Sequence, residues 1–79
     1  MITVTKNPKK ENPIPSPNGA SVDFFTSQNY QSGSMSVWLN GIRLIQEWDD
    51  GYEETGSNKI TLKVAPLNGD SLHVEYQPV

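Results

Sequence analysis

Apolar and polar residues alternate along most of the chain. Val37 and Leu39 share one strand face; Ile60, Leu62 and Val64 share another, with Thr61 and Lys63 opposite. Leu72, Val74 and Tyr76 form a third such set, with His73 and Glu75 on the reverse. A period of two is the mark of a half-buried strand, and no stretch sustains the 3.6-residue period of a helix. The pattern predicts strands near residues 35–39, 42–46, 52–55, 59–64 and 71–76, with residues 22–26 as a sixth. Phe24 and Phe25 are adjacent, so they must point to opposite faces.

The turns predict how these strands pair. Asn40-Gly41 separates Val37-Trp38-Leu39 from Ile42-Arg43-Leu44. Asn-Gly favours a two-residue hairpin in which both central residues take positive φ. That loop sets Leu39 opposite Ile42 and Val37 opposite Leu44, all on one face. A second hairpin closed by Gly56-Ser57-Asn58 sets Tyr52 opposite Leu62. A third, through Pro66, Leu67, Asn68, Gly69 and Asp70, would set Leu62 against Val74 and Ile60 against Tyr76. The expectation is a five-strand meander within an all-β fold, a small antiparallel β-sandwich or half-barrel.

The first nineteen residues differ. Residues 7–19 hold Pro8, Pro13, Pro15 and Pro17, four of the six prolines. Proline fixes φ, lacks a donor and biases its predecessor to extended geometry. This segment reads as an extended Pro-rich N-terminal arm, residues 1–19, ahead of a β-domain over residues 20–79. Ile2 and Val4 alternate with Thr3 and Thr5 and could add a short strand. Removing residues 1–12 should then leave the β-domain folded. Lys6, Lys9 and Lys10 make the arm basic, which serves solubility or docking on an acidic neighbour.

Composition narrows the function. At 79 residues and 34% hydrophobic content there is room for one domain with a small core. Such cores need help from disulfides, metals or partners. The chain has no Cys, so oligomerisation or docking on a larger body remains. Lack of Cys also fits a reducing compartment. A net charge of −3 argues against a nucleic-acid binder. No apolar run is long enough to cross a membrane, and the first residues lack a signal-peptide pattern.

Chemistry-bearing residues are few. Asp49-Asp50-Gly51-Tyr52-Glu53-Glu54 is acidic but lacks the alternating aspartates of a calcium loop; it reads as a solvated turn entering an edge strand. His73 has Glu75 two residues on, with no nucleophile spacing beside it. No catalytic residue, metal site or cofactor is expected. Trp38 lies between Val37 and Leu39 and so faces outward. It can pack on a second layer, anchor a protein partner or stack on a sugar. Trp48 is expected to cap one end of the core. Trp48 and Tyr30 join Trp38 as candidate contact aromatics.

One resemblance bears on these residues. The run Ser34-Met35-Ser36-Val37-Trp38-Leu39-Asn40-Gly41-Ile42-Arg43-Leu44 is followed by Asp50-Gly51-Tyr52-Glu53-Glu54-Thr55-Gly56 and Lys59-Ile60-Thr61-Leu62. Ala65-Pro66-Leu67-Asn68-Gly69-Asp70 then leads into Ser71-Leu72-His73-Val74-Glu75-Tyr76. Over residues 13–76 this resembles a small β module found in virion proteins of tailed bacteriophages, including tail-fibre, neck and head-decoration components. Two positions depart from that pattern: Gly51 separates Asp50 from Tyr52, and Trp38 replaces a smaller apolar residue. The first implies a bulge, the second a special outer contact. The resemblance implies a β-sandwich and a non-enzymatic structural protein of the virion, assembled in the host cytoplasm. Its partners would be capsid, neck or tail proteins, and it could form a homo-oligomer. Alternatives are a host-glycan-binding adhesion module at a tail tip and a small inhibitor of a host protein.

Overall fold

The computed structural model describes residues 8–79. Seven short strands follow one another: β1 (Lys9–Glu11), β2 (Asp23–Phe25), β3 (Ser36–Leu39), β4 (Ile42–Leu44), β5 (Tyr52–Gly56), β6 (Lys59–Leu62) and β7 (Leu72–Tyr76). They form two antiparallel sheets, one of order β1-β7-β3-β4 and one of order β2-β6-β5. The described residues contain no helix, as the period-two pattern requires.

Alternation determines what lies between the sheets. Val37, Leu72, Val74 and Tyr76 come from the four-stranded sheet, and Phe24, Tyr52, Ile60 and Leu62 from the three-stranded one. With Tyr30 and Met35 they make one buried cluster, edged by Leu39 and Leu44. Buried aromatic hydroxyls find acceptors: Tyr52 Oη donates to Met35 O at 2.7 Å, and Tyr30 Oη to Lys59 O at 2.7 Å. Among the described residues no buried side-chain N or O lacks a partner.

Two hairpins form in the expected register. Leu39 faces Ile42 and Val37 faces Leu44, with Asn40 at φ 53° and Gly41 at φ 83°. Tyr52 faces Leu62, and a bulge between Glu54 and Gly56 accommodates the turn. The third hairpin does not form. β6 lies between β2 and β5, while β7 lies between β1 and β3, so the expected meander breaks twice. Leu62 and Ile60 share one buried cluster with Val74 and Tyr76 but lie on the other sheet, not beside them. A shared apolar face is satisfied equally by lateral pairing and by face-to-face packing, so the pattern alone does not choose between them. Val64 lies beyond the end of β6 and is 63% exposed, not a member of the buried face.

The proline-rich segment takes part in both sheets. β1 pairs with β7, placing Lys10 beside Glu75 and Glu11 beside Val74. Asn12 Nδ2 donates to Leu72 O at 2.7 Å, and Pro13 is buried. Ile14 and Phe25 exchange backbone hydrogen bonds at 3.0 and 2.6 Å. The segment is extended, as four prolines dictate, but residues 8–19 lie against the sandwich and supply its edge. Lys6, Ile2 and Val4 lie outside the described residues.

Candidate functional site

The outer face of the four-stranded sheet carries a cross-strand row. The Asn40-Gly41 turn sets Arg43 beside Trp38, and the β3–β7 register sets His73 on its other side. The Arg43 guanidinium lies 5.9 Å from the Trp38 ring centre. The His73 ring is 5.6 Å from it and inclined by 44°. Arg43 Nη2 also donates to Ser36 Oγ at 3.3 Å, and Lys10 pairs with Glu75 at 3.8 Å. Trp38 therefore faces outward as expected, but its neighbours on both strands lean on it and the residue is only half exposed. Cation–π contacts of this kind are worth about 0.5–1 kcal/mol at exposed sites. The arrangement stiffens the face and leaves less of the ring free for a planar ligand.

Trp48 is placed differently. Residues 45–51 carry the chain from one sheet to the other as a tight loop. Trp48 N–H donates to Ile45 O at 3.3 Å, Gly51 N–H to Trp48 O at 2.9 Å, and Glu47 N–H to Tyr52 O at 2.8 Å. Lys63 N–H donates to Gly51 O at 2.9 Å and ties the loop to the end of β6. Glu47 takes φ 70°, and a Cβ on Gly51 would sit 1.7 Å from Ile45 O. The irregularity implied by Gly51 is thus a close backbone approach that a side chain would block. The result holds Trp48 62% exposed, with Ile45 beside it at 42%. Trp48 does not cap the core: the loop turns it outward.

Tyr30 belongs to the core instead of the surface. It is buried, stacks edge-on against Tyr76 at 6.2 Å, and is consumed by its bond to Lys59 O. Lys9 and Lys10 lie on the edge strand β1.

The acidic run divides into separate tasks. Asp49 and Asp50 are exposed in the loop. Glu53 pairs with Lys63 and its hydrogen bond lifts the ammonium above the usual lysine range against desolvation, with the charges of Glu53, Glu47 and Asp49 adding to it. Glu54 turns inward and accepts from Gly33 N–H at 2.8 and 3.1 Å and from Met35 N–H at 3.4 Å. Among the described residues no three acidic or imidazole groups converge as a metal site. His73 rests on Trp38, while Glu75 pairs with Lys10.

Gly69 and Asp70 hold the loop before β7: Gly69 takes φ 94°, and Asp70 Oδ2 accepts from Leu67 N–H at 2.8 Å. A shallow cleft separates this loop from Asn12, Ser16 and Pro17. In its wall Asn12 Nδ2 is bonded to Leu72 O and Asp70 Oδ2 to Leu67 N–H.

Sequence reasoning did not single out Arg43 or Glu11. The first was within reach, because the turn that places Leu39 against Ile42 also places Trp38 against Arg43. Glu11 needed the β1–β7 pairing, which no local pattern carries.

No family model matches the chain, and no match was found among curated proteins or solved structures.

Proposed function

We propose that this chain is a non-enzymatic structural component of a tailed-bacteriophage virion, docking on a larger particle as a head-decoration, neck or tail protein. The observation that carries the reading is the ordered run of strand and turn motifs from Ser34 to Tyr76, which resembles the small β module of such proteins. A sandwich that spends its polar side chains on turns and edges, and turns Trp48 outward, is consistent with a role in docking. Its partners are capsid, neck or tail proteins, and copies of the chain assemble with them in the host cytoplasm.

Immunogold labelling of particles purified from the source, with antibody against the recombinant chain, tests this. Gold over heads, at one vertex or along tails supports the reading and gives the location. Unlabelled particles from cells that contain the chain would overturn it.

A second reading, glycan adhesion at a tail tip, rests on Trp48, since Trp38 is flanked on its own face. Titration of Trp38→Phe with host polysaccharide, followed by Trp48 emission, tests it. An unchanged spectrum would rule it out.

A further inference from the structure

The geometry points to the 45–51 loop as a docking knob for a positively charged protein surface, one that offers an apolar recess for Trp48 rimmed by Lys or Arg. This rests on the docking role proposed above and names the chemistry of the partner.

Three observations combine. Trp48 and Ile45 are apolar and exposed on one loop, where Trp48 N–H bonds Ile45 O. Exposed tryptophan at the centre of a contact is the side chain that most often dominates binding. The loop is braced by the backbone bonds of Glu47, Trp48, Gly51 and Lys63 and by the Gly51–Ile45 approach, so the ring is presented without a large ordering cost. Glu47, Asp49 and Asp50 border the same shallow concavity as Trp48. Among the described residues none of these carboxylates is spent on an ion pair or side-chain hydrogen bond. The nearby ammonium, Lys63, is ion-paired with Glu53 and feels Glu47 and Asp49 only at longer range, so one cation faces four carboxylates.

Charge then selects the occupant. Three carboxylates outside any ion pair, around an indole, repel an acidic surface and give nothing specific to a neutral one. They attract guanidinium and ammonium groups, which also stack on the indole face. A neutral sugar would use the ring but not the rim. On a second copy Lys10 is paired with Glu75, and Arg43 lies over Trp38 and bonds Ser36 Oγ.

The test uses Trp38→Phe, so that Trp48 is the sole indole, after its circular dichroism and melting confirm the fold. It is titrated with a short arginine–leucine peptide, a serine–leucine analogue of equal length, a neutral oligosaccharide and calcium chloride. The expected result is a saturating blue shift with the arginine peptide only, weakening as salt rises. Neutralising the rim together, Glu47→Gln with Asp49→Asn and Asp50→Asn, should weaken binding at least about tenfold. Calorimetry on Trp48→Ala should show a comparable loss. Equal response to the serine analogue or the oligosaccharide, response to calcium alone, or binding indifferent to the rim would each overturn the proposal. So would sedimentation showing a dimer that Trp48→Ala dissolves, because the occupant would then be a second copy. Gold on particles without a peptide response would overturn the loop assignment alone. A peptide response without gold would leave the loop and overturn the virion reading.

Discussion

Asn40 and Ser71 exchange two hydrogen bonds: Asn40 N–H donates to Ser71 O at 2.7 Å, and Ser71 N–H donates to Asn40 Oδ1 at 2.8 Å. Asn40 serves the β3–β4 turn through its positive φ and, through its side chain, anchors the start of β7 beside β3. Glycine would keep the first role and lose the second. Asn40→Gly should therefore cost about 1 kcal/mol, a fall of roughly 4–8 °C in Tm. Thermal melts followed by circular dichroism check this. An unchanged Tm would mean the side-chain bond contributes nothing to holding β7.

Two glycines should respond differently to substitution. Gly41 has φ 83° but open space where a Cβ would go. Gly41→Ala then costs only the left-handed backbone, about 1–2 kcal/mol. Gly51 is buried, and its Cβ would meet the Ile45 carbonyl. No rotamer relieves a backbone clash, so Gly51→Ala must displace the loop. The expected outcome is the larger fall in Tm together with a change in Trp48 emission, which Gly41→Ala should leave unaltered. Equal melting of the two variants would contradict the close approach.

The contrast marks how much of the molecule was legible in the sequence. The inward faces were legible, because a strand has a period of two and a misplaced register would bury Lys63 or Glu75. The β3–β4 and β5–β6 registers were legible, because each is set by a short turn written in Asn, Gly and Ser. The partner of β7 was not. Val74 is complementary to Leu62 across the core and to Val37 beside it, and only the Asn40–Ser71 bonds and the β1 edge show which is lateral. Trp48 was not legible for a related reason: the close approach of Gly51 to the Ile45 carbonyl, in a loop that leaves the ring outward, is carried by no local pattern. Glu54 sits among acidic neighbours in the sequence, although its task is to receive the N–H groups of Gly33 and Met35, which are distant in sequence.

Acid and alkali should unfold the chain through identified groups. Burial pulls the Glu11 carboxyl up, but hydrogen bonds from Tyr76 Oη at 2.6 Å and from Ser27 N–H and Oγ at 3.0 and 2.8 Å outweigh it, so its pKa is lowered. A lowered pKa contributes stability above the ordinary glutamate value, about 4.3, and loses it as pH falls through the folded value. Urea midpoints should fall below that pH, and Glu11→Gln should flatten this dependence while lowering stability at pH 7. All three tyrosines are shifted upward, first by burial, then by Glu54 for Tyr30 and Tyr52 and by Glu11 for Tyr76. Raised pKa values give stability that is complete below the ordinary tyrosine value, about 10, and lost as pH rises through the folded ones. Phenolate absorbance should therefore rise together with unfolding above that pH. Early titration of any one tyrosine in the folded chain would contradict its burial.

Removal of residues 1–11 tests whether the proline-rich segment is an appendage or part of the sandwich. Composition alone favours an appendage, and the truncated chain would then melt like the parent. The β1–β7 pairing argues otherwise. The truncation leaves the β7 edge unpaired beside Val74 and Tyr76, and it strips Tyr76 Oη and the Ser27 N–H of the Glu11 carboxylate. An open edge next to apolar residues is a template for pairing with another chain. The expected outcome is a lower Tm and concentration-dependent association, both reversed by a synthetic peptide spanning residues 1–12. Alanine at Glu11 in the full chain separates the two contributions: it removes the side-chain bonds but keeps the strand, so it should lower Tm without promoting association. A truncated chain that stays monomeric at the parental Tm would show that β1 adds nothing to the fold.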